Sequence, residues 1–174
     1  MRLILLFCLL TSVNLAAGVP QKSVVIAPVK VSRISANGAV TGSGIGLNIE
    51  RGMRSILESR GTRVNSLPQS QSYQTAPDAG AIKAMAESAE ADMVYVTEIK
   101  LIDYAFPSGD LTATFCGETS DDLPVRGKLS LSIRAFSAAG QLLWTAESLE
   151  PYRCAEPTIE AWSQVMTLLD KAPL

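Results

Sequence analysis

The chain predicts an α/β fold, a single domain with helices packed on a mixed β-sheet in the order β-α-β-α-β-β-β-α. Three patterns carry this reading. Ser23 to Ser32 (SVVIAPVKVS) opens with β-branched residues, as a buried strand does. Ile45, Ile49, Met53, Ile56 and Leu57 recur at helical spacing. Leu129, Leu131, Ile133 and Ala135 alternate with Lys128, Ser130, Ser132 and Arg134, the period of a half-buried strand.

Taken in order, the first strand contains Pro28, which has no amide hydrogen to give a ladder, so the strand lies at an edge or bulges there. Arg33 to Gly46 is small, polar and aperiodic. The helix that follows puts Glu50, Arg51, Arg54 and Glu58 on its wet side, and Gly61 suits the left-handed residue after its end. Arg63 to Leu67 is a short strand closed by Pro68, and Gln69 to Pro77 a polar connector. Asp78 caps a second helix through Glu90, with Ile82, Met85, Ala86 and Ala89 inward. Asp92 to Ala105 is a long strand, and residues 106–127, rich in Gly and Pro, form a long loop. The alternating strand then turns at Ala138-Ala139-Gly140 and returns as Gln141 to Leu149. A last helix begins with Pro157 at its first position and buries Ile159, Trp162, Met166 and Leu169.

The amino terminus reads as an export signal. Arg2 supplies a positive charge, Leu3 to Leu10 is an apolar run, and Ala16 and Gly18 are small residues at the −3 and −1 positions of a cleavage site. Residues 1–18 are therefore expected to be removed, leaving 19–174 as one domain. The apolar run falls short of the roughly 20 residues that cross a bilayer, and no stable membrane insertion is expected. Phe7 precedes Cys8, where a lipid-attachment cysteine needs a small residue, so the expected product carries no lipid.

Composition narrows the function further. The net charge of −2 becomes one unit more negative once Arg2 leaves, and no basic block interrupts the chain. Nucleic acid, which demands clustered Lys and Arg, is excluded as a partner. With no histidine, Ser-His-Asp triads, Cys-His pairs and histidine-ligated metals are excluded too.

Few residues suggest chemistry. Gly42-Ser43-Gly44-Ile45-Gly46 lacks the spacing of a dinucleotide loop and the Gly-Lys-Ser/Thr ending of a P-loop, and reads as an approach to the helix. Asp110, Glu118, Asp121 and Asp122 do not have calcium-loop spacing. Glu98 and Asp103, five apart on one strand, face opposite sides and make a poor acid/base pair. Lys128 and Ser130 share a face, but an exposed lysine does not activate a serine. Neither catalytic residues, metal nor cofactor are expected, and Trp144 and Trp162 read as core. Tyr104, Phe106 and Phe115, with Asp121 and Asp122, flank or lie in the long loop and are the candidate partner-binding residues.

Cys116 and Cys154 remain after signal removal as an even pair outside the reducing cytoplasm, and a disulfide between them is expected. It would close a loop of about forty residues, worth roughly 3–4 kcal/mol in the chain-entropy account.

Four segments carry a family likeness: VVIAPVKVS, LESRGTRVNSLP, AESAEADMVYVTEIKLID and the hairpin LSLSIRAFSAAGQLLWTAES. With Ala91-Asp92 before the central strand and Gly140 to Trp144 in the hairpin, they resemble the envelope family of the curli-secretion protein. The penicillin-binding-protein activator lipoprotein and the amino-terminal domain of the Tol translocation protein share that plan. The chain departs from it in having no lipidation cysteine, no pore-building insertions and no propeller. The resemblance implies a non-catalytic periplasmic domain that binds another envelope protein. A periplasmic binding or immunity protein that neutralises a toxin or small ligand is the alternative, and a carboxylate hydrolase the third reading.

Overall fold

A computed structural model describes residues 22–35, 38–41, 44–67, 77–102, 125, 127–153 and 157–172. Their element order is β1 (Ser23–Ile26), β2 (Lys30–Ser35), β3 (Gly38–Thr41), α1 (Gly44–Ser59), β4 (Arg63–Asn65), α2 (Ala79–Ser88), β5 (Met93–Ile102), β6 (Gly127–Ser137), β7 (Leu142–Tyr152) and α3 (Thr158–Leu169). The strands form one seven-stranded mixed sheet, and the expected α/β class holds.

β5 is the axis of the sheet. Along one edge it pairs antiparallel with β6, which in turn pairs antiparallel with β7. Along the other edge it meets two strands in succession: Val24 to Ile26 of β1 lie opposite Met93 to Tyr95, and Lys30 to Ile34 of β2 lie opposite Glu98 to Ile102. Three residues, Ala27, Pro28 and Val29, therefore face only two, Val96 and Thr97. That is a bulge, and it places Pro28 where the ladder needs no donor. The first strand is consequently not at an edge, because β1 also pairs parallel with β4 on its far side. Glu50 answers the bulge: its Oε1 accepts the Val29 amide hydrogen at 2.7 Å. It is half-buried rather than on the wet face, and Gly46 lets α1 approach, since a Cβ there would sit 3.0 Å from the Val29 carbonyl oxygen.

Part of the stretch read as aperiodic is strand. β2 runs to Ser35 and pairs antiparallel with β3 through Ser35 opposite Gly38, leaving Ala36 and Asn37 between them.

Crossover handedness distributes the helices. After β1, β2 and β3 the chain passes through α1 to β4, beside β1, then back through α2 to β5 on the other side of β1. Right-handed crossovers in opposite directions put their helices on opposite faces of a sheet. α1 and α3 accordingly cover one face with Tyr95, Ile99, Leu101, Leu131 and Ile133, and α2 covers the other with Val25, Val94 and Val96.

Helix ends follow their local chemistry. Gly61, at φ 81°, ends α1, with its amide donating to Glu58 O at 3.0 Å and that of Thr62 to Leu57 O at 3.0 Å. Asp78 caps α2 by accepting the Ala81 amide hydrogen at 2.8 Å. α2 closes the same way as α1, but with Glu90 at φ 49° where glycine would be unstrained. Glu90→Gly is expected to stabilise the protein by about 0.5–1 kcal/mol, measured by chemical denaturation, because it relieves a left-handed residue with a β-carbon.

α3 departs from the reading above. Pro157 stands at the N-cap, and Ala161, Gln164, Val165, Leu168 and Leu169 are buried, whereas Ile159 is 65% and Met166 39% exposed. The helix is turned by about one residue, roughly 100°. Its small Ala161 faces the sheet, and Trp162 lies at the flank on Gly52 of α1. Trp144 and Trp162 are half-buried at the margin of the core. Arg60 ties the two helix ends together by donating to the Leu169 carbonyl at 2.7 Å and pairing with Asp170.

At the start of the sheet, the Ser23 amide and hydroxyl both donate to Asp92 Oδ2 at 2.8 Å. The backbone donor first and the hydroxyl second hold the Asp92 carboxyl below its ordinary range. A lowered folded-state value stabilises above the unfolded value near 3.9, and that contribution is lost as pH falls through the folded one. Asp92→Asn is therefore expected to be less stable than the parent at neutral pH, the gap closing on acidification below about pH 4, as read from denaturation midpoints across pH.

Candidate functional site

α2 has ten residues, about 15 Å of helix, whereas β6 and β7 have eleven each, about 35 Å of strand. It covers only one half of its face of the sheet. The residues of β5 on that face register the boundary: Val94 and Val96 are buried beneath the helix, and Glu98 and Lys100 lie beyond it. On β6 the same boundary falls between Phe136, packed against the α2 cluster, and Arg134, Ser132 and Ser130.

Strand register brings these polar positions together. Glu98 sits opposite Ser132 and Lys30, Lys100 opposite Ser130 and Ser32, and Ser132 opposite Glu147. Glu98, Lys100, Ser130, Ser132, Arg134 and Glu147 line a groove of about 270 Å³. Glu98 is held between two ammonium groups, with Lys30 Nζ and Lys100 Nζ each 3.4 Å from one of its oxygens. The Arg134 guanidinium lies over the Phe136 ring, 5.9 Å from its centroid, and its Nε is buried without a hydrogen-bond partner among the described residues.

This arrangement suits recognition. Glu98 is engaged by two lysines, and Glu147 lines the same groove on the far side of Ser132. Among the described residues no group of three or more His, Cys, Asp or Glu side chains could hold a metal. Tyr95 belongs to the other face, where burial pushes its phenol up in pKa against the opposing influence of Arg60. A phenol so raised stays protonated at neutral pH.

The sequence-derived candidates lie elsewhere. Tyr104, Phe106, Phe115, Asp121 and Asp122 fall outside the described residues, as do both Cys116 and Cys154, the leader and Asp103. Lys128, Ser130, Ser132 and Arg134 do share the outer face read from their alternation. Their meeting with Lys30 was not legible, since it depends on pairing register across the Pro28 bulge, whereas Glu147 comes from the return strand of the hairpin read in the sequence. The available signal was the change from Val94 and Val96 to Glu98 and Lys100 at the same spacing. None of the helices among the described residues is long and apolar enough to cross a membrane.

No family model matches the chain, and no curated protein matches it. Among solved structures it is similar to the LpoB C-terminal domain from Salmonella enterica, at 15% identity over 77% of this chain and 86% of that one, with a TM-score of 0.44. A lipoprotein from Neisseria meningitidis, GNA1162, is 13% identical over 87% of this chain and 99% of its own, with a TM-score of 0.42. A DUF4136 family protein from Bacteroides thetaiotaomicron is 14% identical over 86% and 88%, also with a TM-score of 0.42. LpoB, a penicillin-binding-protein activator lipoprotein, is one of the proteins named in the sequence resemblance. Identities and scores this low carry no function or partner from those proteins to this chain.

Proposed function

We propose that this protein is exported to the periplasm, catalyses no reaction, and acts by binding another envelope protein in the assembly or regulation of an envelope machine. The observation that carries the reading is the half of the α2 face that no helix covers among the described residues, a polar groove built from paired ions on a rigid sheet. Rigid strands hold such a surface in a fixed shape, which lowers the ordering cost of binding. Beside it runs β7, which among the described residues pairs only with β6, with Leu142, Leu143 and Leu149 about half exposed. A free strand edge next to exposed leucines accepts an extended partner segment by strand addition. The chain between β5 and β6, residues 106–127 in the sequence reading, is proposed as a second contact surface. The leader and the expected Cys116–Cys154 disulfide support the compartment.

Photo-cross-linking in cells tests this. A photoreactive residue at Lys128 or Leu149, both on the groove face, is expected to trap a defined envelope protein. The same residue at Ser55 on α1 or Lys83 on α2 is expected to trap none. Equal labelling from all four positions, or none from the groove face, would overturn the reading.

A further inference from the structure

We propose that Arg134 anchors a subsite for a single carboxylate in the groove beyond α2. This deepens the binding function proposed above and rests on it only for the source of the ligand. Three cations, Lys30, Lys100 and Arg134, lie in or beside the groove with two carboxylates, Glu98 and Glu147. Its local balance is thus positive, in a chain whose net charge is −2. The two lysines are spoken for by Glu98. Arg134 is not: it makes no ion pair or hydrogen bond among the described residues, although Glu147 sits on the neighbouring strand, one pair out of register with it.

An arginine left in that state needs an acceptor. Its Nε is buried, so water replaces a partner poorly there, and an unsatisfied donor of this kind is costly. The Phe136 ring holds the guanidinium plane, which spares the ordering cost of binding. Nε and a terminal nitrogen form the fork that meets both oxygens of a carboxylate, and the Ser132 hydroxyl on the same face can donate a further bond. The two acidic residues in the lining select the class of anion. A dianion such as phosphate would face Glu98 and Glu147 at close range, whereas a single carboxylate matches one unpaired guanidinium. The ligand is therefore a carboxylate, from an acidic side chain in an extended partner segment or from a chain terminus.

Nitrogen-15 NMR of the purified protein, following the Arg134 Nε–Hε resonance, tests this. The probes are a short alanine peptide with blocked ends and one central glutamate, its glutamine counterpart, an alanine peptide with a free carboxyl terminus, and inorganic phosphate. A saturable downfield shift with either carboxylate peptide, and none with the glutamine peptide, is the expected result. Which peptide binds more tightly identifies the source. Arg134→Gln is expected to weaken binding about tenfold or more, and Arg134→Lys to restore it only in part because the fork is lost. An unchanged backbone spectrum away from the groove would show that both variants fold. No shift with either carboxylate peptide, equal response to the glutamine peptide, tighter binding of phosphate, or undiminished binding in Arg134→Gln would each overturn the proposal. Cross-links from the groove face without a carboxylate response would remove this subsite and leave partner binding standing. A carboxylate response without cross-links would do the reverse.

Discussion

Ile99→Ala is expected to lower the free energy of unfolding by about 2–5 kcal/mol, while Lys100→Ala beside it changes stability by no more than about 0.5 kcal/mol. Ile99 lies in the middle of β5 with 0% of its surface exposed, between Val31 of β2 and Leu131 of β6. Both neighbouring strands are fixed by ladders, so the site cannot collapse onto the cavity that alanine leaves. Lys100 points to the opposite face, its own side chain is 43% exposed, and its ion pair with Glu98 at 3.4 Å is of modest value. Denaturant titration of the two variants measures the difference. Equal losses would mean that β5 has the wrong face inward, and with it the groove.

Gly52→Ala is expected to cost about 1–3 kcal/mol, although alanine is the better helix former. A Cβ at position 52 would run into the six-membered ring of Trp162, so the indole must shift from its place against α1. Pairing the change with Trp162→Leu is expected to recover much of the loss, because the shorter side chain vacates the contact. A double-mutant cycle with a coupling of at least about 1 kcal/mol would establish that these two residues set the distance between α1 and α3. Additive losses would place Trp162 elsewhere and return α3 to the orientation its sequence suggests.

That orientation shows where sequence reasoning runs out. α3 carries apolar residues at Ile159, Trp162, Met166 and Leu169, a well-formed helical stripe, and a second at Ala161, Val165, Leu168 and Leu169. Periodicity marks both without ranking them. Large residues suggest the first stripe, yet the sheet takes the second, because Ala161 allows close approach and Gly52 leaves room for the tryptophan at the flank. α1 had a single stripe and no such ambiguity: Ile45, Ile49, Met53 and Leu57 are all buried as their spacing requires.

The candidate site divides in the same way. Alternation along β6 places Ser130, Ser132 and Arg134 on the outer face without any knowledge of the fold. Nothing along the chain places Lys30, about a hundred residues away in sequence, beside them.

The sequence by itself determined the α/β class, the face β6 turns inward, the caps at Asp78 and Gly61, and the expectation of export. These follow from local periodicity and backbone chemistry, which act within a few residues. The tertiary structure alone decided which stripe of α3 is buried, that Pro28 sits in a bulge of an interior strand, and that α2 stops short of half its face. Those outcomes depend on side chains and strands that meet across the whole chain, where register and close approach select between local patterns of equal merit.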